Sequence, residues 1–280
     1  MSGKLWVVAT PIGNLDDFSI RTVAVLRRVR LILAEDTRHS RLLLDHYQIT
    51  TPTQAWHLFN EHRKLDAVLQ RLLSGEELAL ISDAGTPLIS DPGSLLVDAC
   101  YRVGVVVSTV PGACAAIAGL SVSGIAADKF YFEGFLPAKS GERVKRLRQL
   151  ADFPCTVVCY EAPHRLLASL RDMIQCLGND RVITVIKELT KMHEQAVRAP
   201  LVQQVAYWSE RPVKGEWVIV IEKVADQVGI SDVLLTRQQE HLLRELLDRM
   251  PAKQAVKLVA ELAGVRANEL YRLYCGNNKQ

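Results

Sequence analysis

The sequence predicts two successive α/β domains followed by a small helical domain. Three observations carry this. Strand-like and helix-like segments alternate over the first 120 residues, which implies a mainly parallel sheet with crossover helices. A second alternating unit follows a cluster of small and turn-prone residues, SVSGIAAD (121 to 128). After ADQVG (225 to 229) the text becomes purely helical. The expected boundaries are 1–122, 123–226 and 227–280.

In the first domain, LWVVA (5 to 9) reads as a strand. SIRTVAVLRRV (19 to 29) reads as a helix, with Ile20, Val23, Ala24 and Val29 near one face. LILA (31 to 34) is a strand and TRHSRLLLDHY (37 to 47) a helix. LDAVLQRLLSG (65 to 75) is a helix with a glycine stop. LALI (78 to 81) is a strand, SLLVDACYRVG (94 to 104) a helix and VVVSTV (105 to 110) a strand. GACAAIAGLSVSG then forms a small-residue helix that can pack close.

The second domain reads FYFEGF, a basic helix, CTVVCYEAP, the helix RLLASLRDMIQCLG, RVITVIKEL and EWVIVIEKV. In the last segment, Leu242, Leu243, Leu246, Leu247 and Met250 form one apolar stripe. Val256, Val259 and Ala263 form another, stopped by Gly264, and VRANELYRLY starts a third helix. The turn GVRAN has helix-turn-helix proportions.

The chain has 280 residues, of which 49% are hydrophobic, enough for a sizeable core and against disorder. The formal net charge of +3 permits a polyanionic partner without requiring one. No run of 18 apolar residues occurs, and the N-terminal apolar run is too short for a signal peptide, so no membrane span is expected and a cytoplasmic location is. Six cysteines are scattered too thinly for a disulfide scaffold. Cys155 and Cys159 read as buried thiols. Seven histidines show no metal-ligand spacing, so no metal is expected.

The unusual text lies after the strands of the first domain. LWVVA leads into TPIGN, LILA into EDTRHS, LALI into SDAGTPLISDPG, and VVVSTV into PGACAA. In open parallel sheets, ligands bind outside the carboxyl ends of the strands, so these four loops are expected to converge on one pocket. No GxxxxGK[ST] occurs and no GxGxxG follows a strand, which argues against a phosphate cradle. Loops rich in Pro, Asp and small residues offer carbonyls and hydroxyls instead. S-adenosylmethionine, with a sulfonium and no phosphate, suits them; ordinary tight turns are the alternative.

ATPIGNLDDFSIR, AEDTRHSRLLL, SDAGTPLISDPG, VPGACAA, GFLP, YEAPHR, KELTKMHE and GEWVIVIE occur in this order. Together they resemble the ribosomal small-subunit RNA methyltransferase I family, within the tetrapyrrole methylase superfamily. The resemblance runs from residue 4 to about 275. It implies two α/β domains of the tetrapyrrole methylase type with S-adenosylmethionine folded into the cleft between them, and a helix-turn-helix appended. It implies methylation of a cytidine ribose 2′-hydroxyl in the decoding region of 16S rRNA, and a homodimer. It implies that Pro11, Asp83, Ala84, Gly85, Thr86, Ala113, Cys114, Ala162 and Glu216 line the cofactor site.

Transfer to a ribose hydroxyl is an in-line displacement that needs the hydroxyl held and a proton removed. Each candidate has two readings. Asp83 contacts a ligand, or forms an Asx-turn in its own loop. Asp36 and Arg38, beside Glu35, meet the target nucleotide, or Asp36 caps the next helix. Glu161 and Arg165 serve the reaction and RNA phosphate, or form a structural ion pair. Lys187, beside Glu188, is a base or phosphate guide, or a strand-end ion pair. Lys139, Arg143, Lys145 and Arg146, with Arg148, grip the RNA backbone, or form a solvated helix face. Lys253, Lys257, Arg266 and Arg272 dress the last helices, which either dock on rRNA or only pack. The competing functions are a tetrapyrrole C-methyltransferase on the same fold and a non-catalytic nucleic-acid-binding protein.

Overall fold

A computed structural model describes residues 2–224 and 235–275. The expected linker ADQVG and the 226/227 boundary lie outside the described residues. Residues 2–224 form one compact unit that contains two sheets, and the helical segment forms another.

The first sheet is fully parallel, as expected. It contains β1 (Lys4–Val8), β2 (Leu31–Ala34), β3 (Thr53–Ala55), β4 (Glu77–Ile81) and β5 (Val106–Val110), in the order β3-β2-β4-β1-β5. β1, β2 and β4 are short apolar runs because both faces are covered there. Trp6, Val8, Ile32, Ala34, Ala79 and Ile81 meet α1 (Ile20–Arg28) and α2 (Thr37–His46). Leu5, Leu31, Leu33, Leu78 and Leu80 meet α3 (Glu61–Leu73) and α4 (Ser94–Arg102) on the other face.

The face of α1 differs from the expectation. Ser19 caps the helix by accepting the Thr22 amide, and Phe18 just before it is buried in the cluster that includes Val23. This staple turns Ile20 outward to 90% exposure, and Ala24 is exposed too. Val29 is buried as expected, together with Thr22, Val25 and Leu26. β3 is a three-residue edge strand without an apolar run, so periodicity did not mark it.

The second sheet contains β6 (Phe130–Phe135), β7 (Thr156–Glu161), β8 (Val182–Lys187), β9 (Gln195–Pro200) and β10 (Trp217–Ile221), in the order β6-β7-β10-β8-β9. Only β6 and β7 pair in parallel. One face packs on α6 (Ser140–Leu150), α7 (Leu166–Leu177) and α8 (Leu201–Ser209). The other face receives α5 (Ala115–Ser123), the small-residue helix assigned from sequence to the first domain. A Cβ on Gly119 would lie 2.8 Å from Val218 Cγ1, so this close approach requires glycine. β9 and α8 escaped the sequence reading because β9 alternates half-exposed residues rather than forming an apolar run.

The helical unit comprises α9 (Arg237–Leu247), α10 (Ala252–Ala263) and α11 (Ala267–Cys275). Thr236 and Gln239 form a capping box at α9, and Gly264 ends α10 in the left-handed conformation. Leu243, Ala255, Val256, Val259, Ala260 and Leu270 form its core.

Candidate active site

β4 lies between β2 and β1, so the 82–93 loop that follows it emerges at the centre of the sheet's carboxyl edge. It is bonded to each neighbouring loop. The Thr10 amide donates to the Gly85 carbonyl at 2.8 Å, and the Gly85 amide donates back to the Thr10 carbonyl at 3.1 Å. The Asp36 amide donates to Asp83 Oδ1 at 3.0 Å, and the Asp83 amide to Glu35 Oε2 at 3.4 Å. Thr86 Oγ1 donates to the Ala113 carbonyl at 2.9 Å. The loop is long because it holds the other three in place, and its Asp, Gly and Thr each make one of these joints. Leu88 and Ser90 adopt positive φ, at 74° and 71°. Such strain persists only where surrounding contacts over-determine it, and it concentrates at functional sites.

The four loops and the second sheet enclose a cleft of about 430 Å³. Asp83, Ala84, Gly85 and Thr86 line one wall, and Cys114 sits at the start of α5. Ala162, Glu216, Trp217 and Val218 come from the second sheet. Tyr160 reaches across to accept the Ala116 amide at 3.0 Å, and burial raises its hydroxyl pKa. Leu189 lines the opposite wall and is flanked by a second strained pair, Glu188 at φ 54° and Thr190 at φ 64°. Glu188 Oε1 accepts from Lys191 and from the Glu216 amide, both at 2.9 Å. These bonds outweigh burial and hold its pKa below the ordinary carboxylate value.

Besides Glu161 and Glu216 from the second sheet's side, the carboxyl groups of Glu35, Asp83 and Asp91 line the cleft. Burial raises the Glu35 pKa, opposed by the Asp83 amide. Burial and the Glu35 charge push Asp91 up to about 7, opposed by a hydrogen bond from Ser82. An acid that titrates near neutrality inside a cleft is suited to proton transfer. Nothing in the sequence distinguishes Asp91 from the other loop acids, because its burial and its neighbours come from the fold.

The other candidates separate. Ala113 and Pro11 lie outside the cleft lining; Ala113 braces Thr86, and Pro11 lines a neighbouring recess. Asp36 takes its capping role: it accepts the Arg38 amide at 2.8 Å and pairs with the exposed Arg38 guanidinium, whose bonds lower its pKa. Neither residue lines the cleft. Lys187 also lies outside it, with its ammonium 5.6 Å over the Trp217 ring. Glu161 borders the cleft but is 2% exposed and spoken for by Arg165 at 2.7 Å, the Ala162 amide and Ser169. Of its two readings Arg165 shows the ion pair: its guanidinium balances a buried carboxylate. Arg143, expected to grip the RNA backbone, is buried instead. It is 3% exposed, paired with Asp172 and bonded to the Pro137 and Ala138 carbonyls. Arg146 is held by Glu133 and Tyr131, whereas Lys139 and Lys145 remain exposed.

A family described as Tetrapyrrole (Corrin/Porphyrin) Methylases matches residues 4–204, and one described as RsmI C-terminal HTH domain matches residues 235–276. Ribosomal RNA small subunit methyltransferase I of Synechocystis sp. is 45% identical, covering 97% of each chain. The protein of the same name from Pseudomonas aeruginosa is 46% identical over 97% of this chain and 96% of its own. Uroporphyrin-III C-methyltransferase from Thermus thermophilus, complexed with S-adenosylhomocysteine, shares the fold at TM-score 0.56 and 19% identity, over 79% of this chain and 97% of that one. Fold, cleft and relatives over the whole length agree: this chain belongs to the ribosomal RNA small subunit methyltransferase I family, S-adenosylmethionine-dependent methyltransferases on the tetrapyrrole methylase fold.

Proposed function

We propose that this protein methylates a ribose 2′-hydroxyl of small-subunit ribosomal RNA, at a cytidine of the 16S decoding region, acting in the cytoplasm as a homodimer. The observation that carries the chemistry is Asp91, a carboxyl raised to about 7 on a loop bonded to the loops after β1, β2 and β5. The acceptor class rests on relatives named as ribosomal RNA small subunit methyltransferases.

The residues fit the cofactor. The cleft has an apolar side from Ile12, Leu189, Trp217 and Val218, and hydrogen-bonding backbone at residues 83–86. Cys114 begins α5 without a side-chain cap, so this helix start suits a carboxylate. The indole N–H of Trp217 is buried without a hydrogen-bond partner among the described residues. S-adenosylmethionine supplies a methyl group on a sulfonium and leaves as a neutral thioether. The chain's part is to bind the donor between residues 83–86 and the second sheet, exclude water, and take the hydroxyl proton on the Asp91 carboxylate as the new C–O bond forms. Glu35 keeps that carboxyl poised by like-charge repulsion.

Radiolabelled S-adenosylmethionine and unmethylated small subunits test the reading. After digestion to nucleosides, label in 2′-O-methylcytidine is the expected result. Unlabelled RNA with cofactor binding intact rejects it and favours a tetrapyrrole acceptor.

A further inference from the structure

We infer that a second recess beside the cleft receives the acceptor nucleotide, extruded from its RNA strand. The inference rests on the RNA methylation proposed above. The recess measures about 280 Å³ and lies between the loop after β1 and the first turns of α2. Its own lining includes Leu15, Ser40, Leu42, Leu43 and Lys191. It shares Ile12, Asp83, Ala84 and Glu216 with the main cleft. The two spaces therefore adjoin along these four residues.

The larger space, about 430 Å³, lies within the size range of a cofactor-sized ligand site. The acceptor base then occupies the neighbouring recess, and its ribose 2′-hydroxyl passes the shared residues into the main cleft, which Asp91 lines. The size of the recess suits a single nucleoside. A base inside a strand cannot reach a pocket at the foot of loops, so the nucleotide must be extruded and unstacked, as RNA-reading sites commonly require.

The lining offers the matching chemistry. Leu15 is 41% exposed and Leu42 75%, an apolar surface at the rim that solvent does not favour and a base face would cover. Ser40 is 3% exposed, and its Oγ has no hydrogen-bond partner among the described residues. A buried hydroxyl without a partner costs about 1–3 kcal/mol, and a ribose or base edge would satisfy it. Lys191, fixed between Glu188 and Glu216 at 2.9 and 3.1 Å, presents a positioned ammonium on the far side. Arg38 and His39, both exposed, stand at the start of α2 where the strand's phosphates would pass.

A photocrosslinking residue, p-benzoylphenylalanine, placed at Leu42 in the full chain tests the assignment. Irradiated with unmethylated small subunits and S-adenosylhomocysteine, it should crosslink within about two nucleotides of the methylated position, mapped by primer extension. Crosslinks confined to distant RNA, in a protein that still methylates, would overturn the recess and leave the reaction standing. A second variant, Leu15→Trp with Leu42→Trp, crowds the rim from two elements without touching the core. RNA methylation should fall on the order of tenfold or more, with S-adenosylmethionine affinity unchanged. Unaltered methylation overturns the assignment. Failure of the wider reading is separately visible, since the unsubstituted enzyme would then leave the RNA unlabelled.

Discussion

Thr10 and Gly85 exchange two main-chain hydrogen bonds, at 2.8 and 3.1 Å, and so lock the loop after β1 to the loop after β4. Gly85 makes this joint at φ 86°, a conformation side chains resist, and a Cβ there would lie 3.3 Å from Ile12 Cγ2. Gly85→Ala should therefore cost about 1–2 kcal/mol of stability. It should also weaken S-adenosylmethionine binding by roughly tenfold, since Ile12 and Gly85 both line the cleft. Calorimetric titration of cofactor into the variant checks this. Unchanged affinity would mean that the joint does not shape the site.

Asp91 should set the pH dependence. As general base it acts only when ionised, so activity should rise with pH and level off above about 7. Asp91→Asn should lower the rate roughly 10²–10⁴-fold and flatten the profile. If the rise survives in Asp91→Asn and disappears in Glu35→Gln, the base is Glu35 instead.

The same group links pH to stability. Folding raises the Asp91 pKa, so the folded protein holds this proton more tightly than the unfolded chain. The contribution is complete below the ordinary carboxylate range and is lost as pH rises through about 7. Relative to the parent, Asp91→Asn should gain thermal stability steadily from about pH 4 to about pH 8. A Tm difference that is constant with pH would show that the carboxyl is not shifted.

Arg165 should matter for folding rather than for RNA. Its partner Glu161 is 2% exposed, and removing one member of a buried pair leaves an uncompensated charge. Arg165→Met should cost about 3 kcal/mol, read by denaturant unfolding, with the salt dependence of RNA binding unchanged.

Helix α6 separates the same two roles along one basic run. Arg143→Met should destabilise the second sheet's core by breaking its bond to Asp172, whose side chain is 16% exposed. Lys139→Glu with Lys145→Glu, both exposed, should leave Tm in place and lower the salt slope of rRNA binding by about 0.7 for each phosphate that a lysine no longer neutralises. An unchanged slope would make these lysines a solvated face.

The sequence by itself determined the alternation of strands and helices, the parallel first sheet, the glycine stop at Gly264, the order of the motifs and the four loops at one edge. These follow from periodicity, turn chemistry and chain order, which are local properties. Where periodicity was weak it failed: β3 is too short, β9 too evenly exposed, and α1 was rotated by its Phe18 staple. Only the tertiary structure decided which charges are free to act. Arg143 and Lys145 look alike in the chain, yet one is buried on Asp172 and the other faces solvent. Asp36 and Asp91 are both loop acids, yet one caps a helix with a lowered pKa and the other is raised to about 7 in the cleft. The physical reason is that a charge's behaviour depends on its burial and its neighbours. Those neighbours come from elements distant in sequence: Glu161 and Ser169 lie across a turn, Asp36 and Asp83 across 47 residues, and Tyr160 and Ala116 across 44.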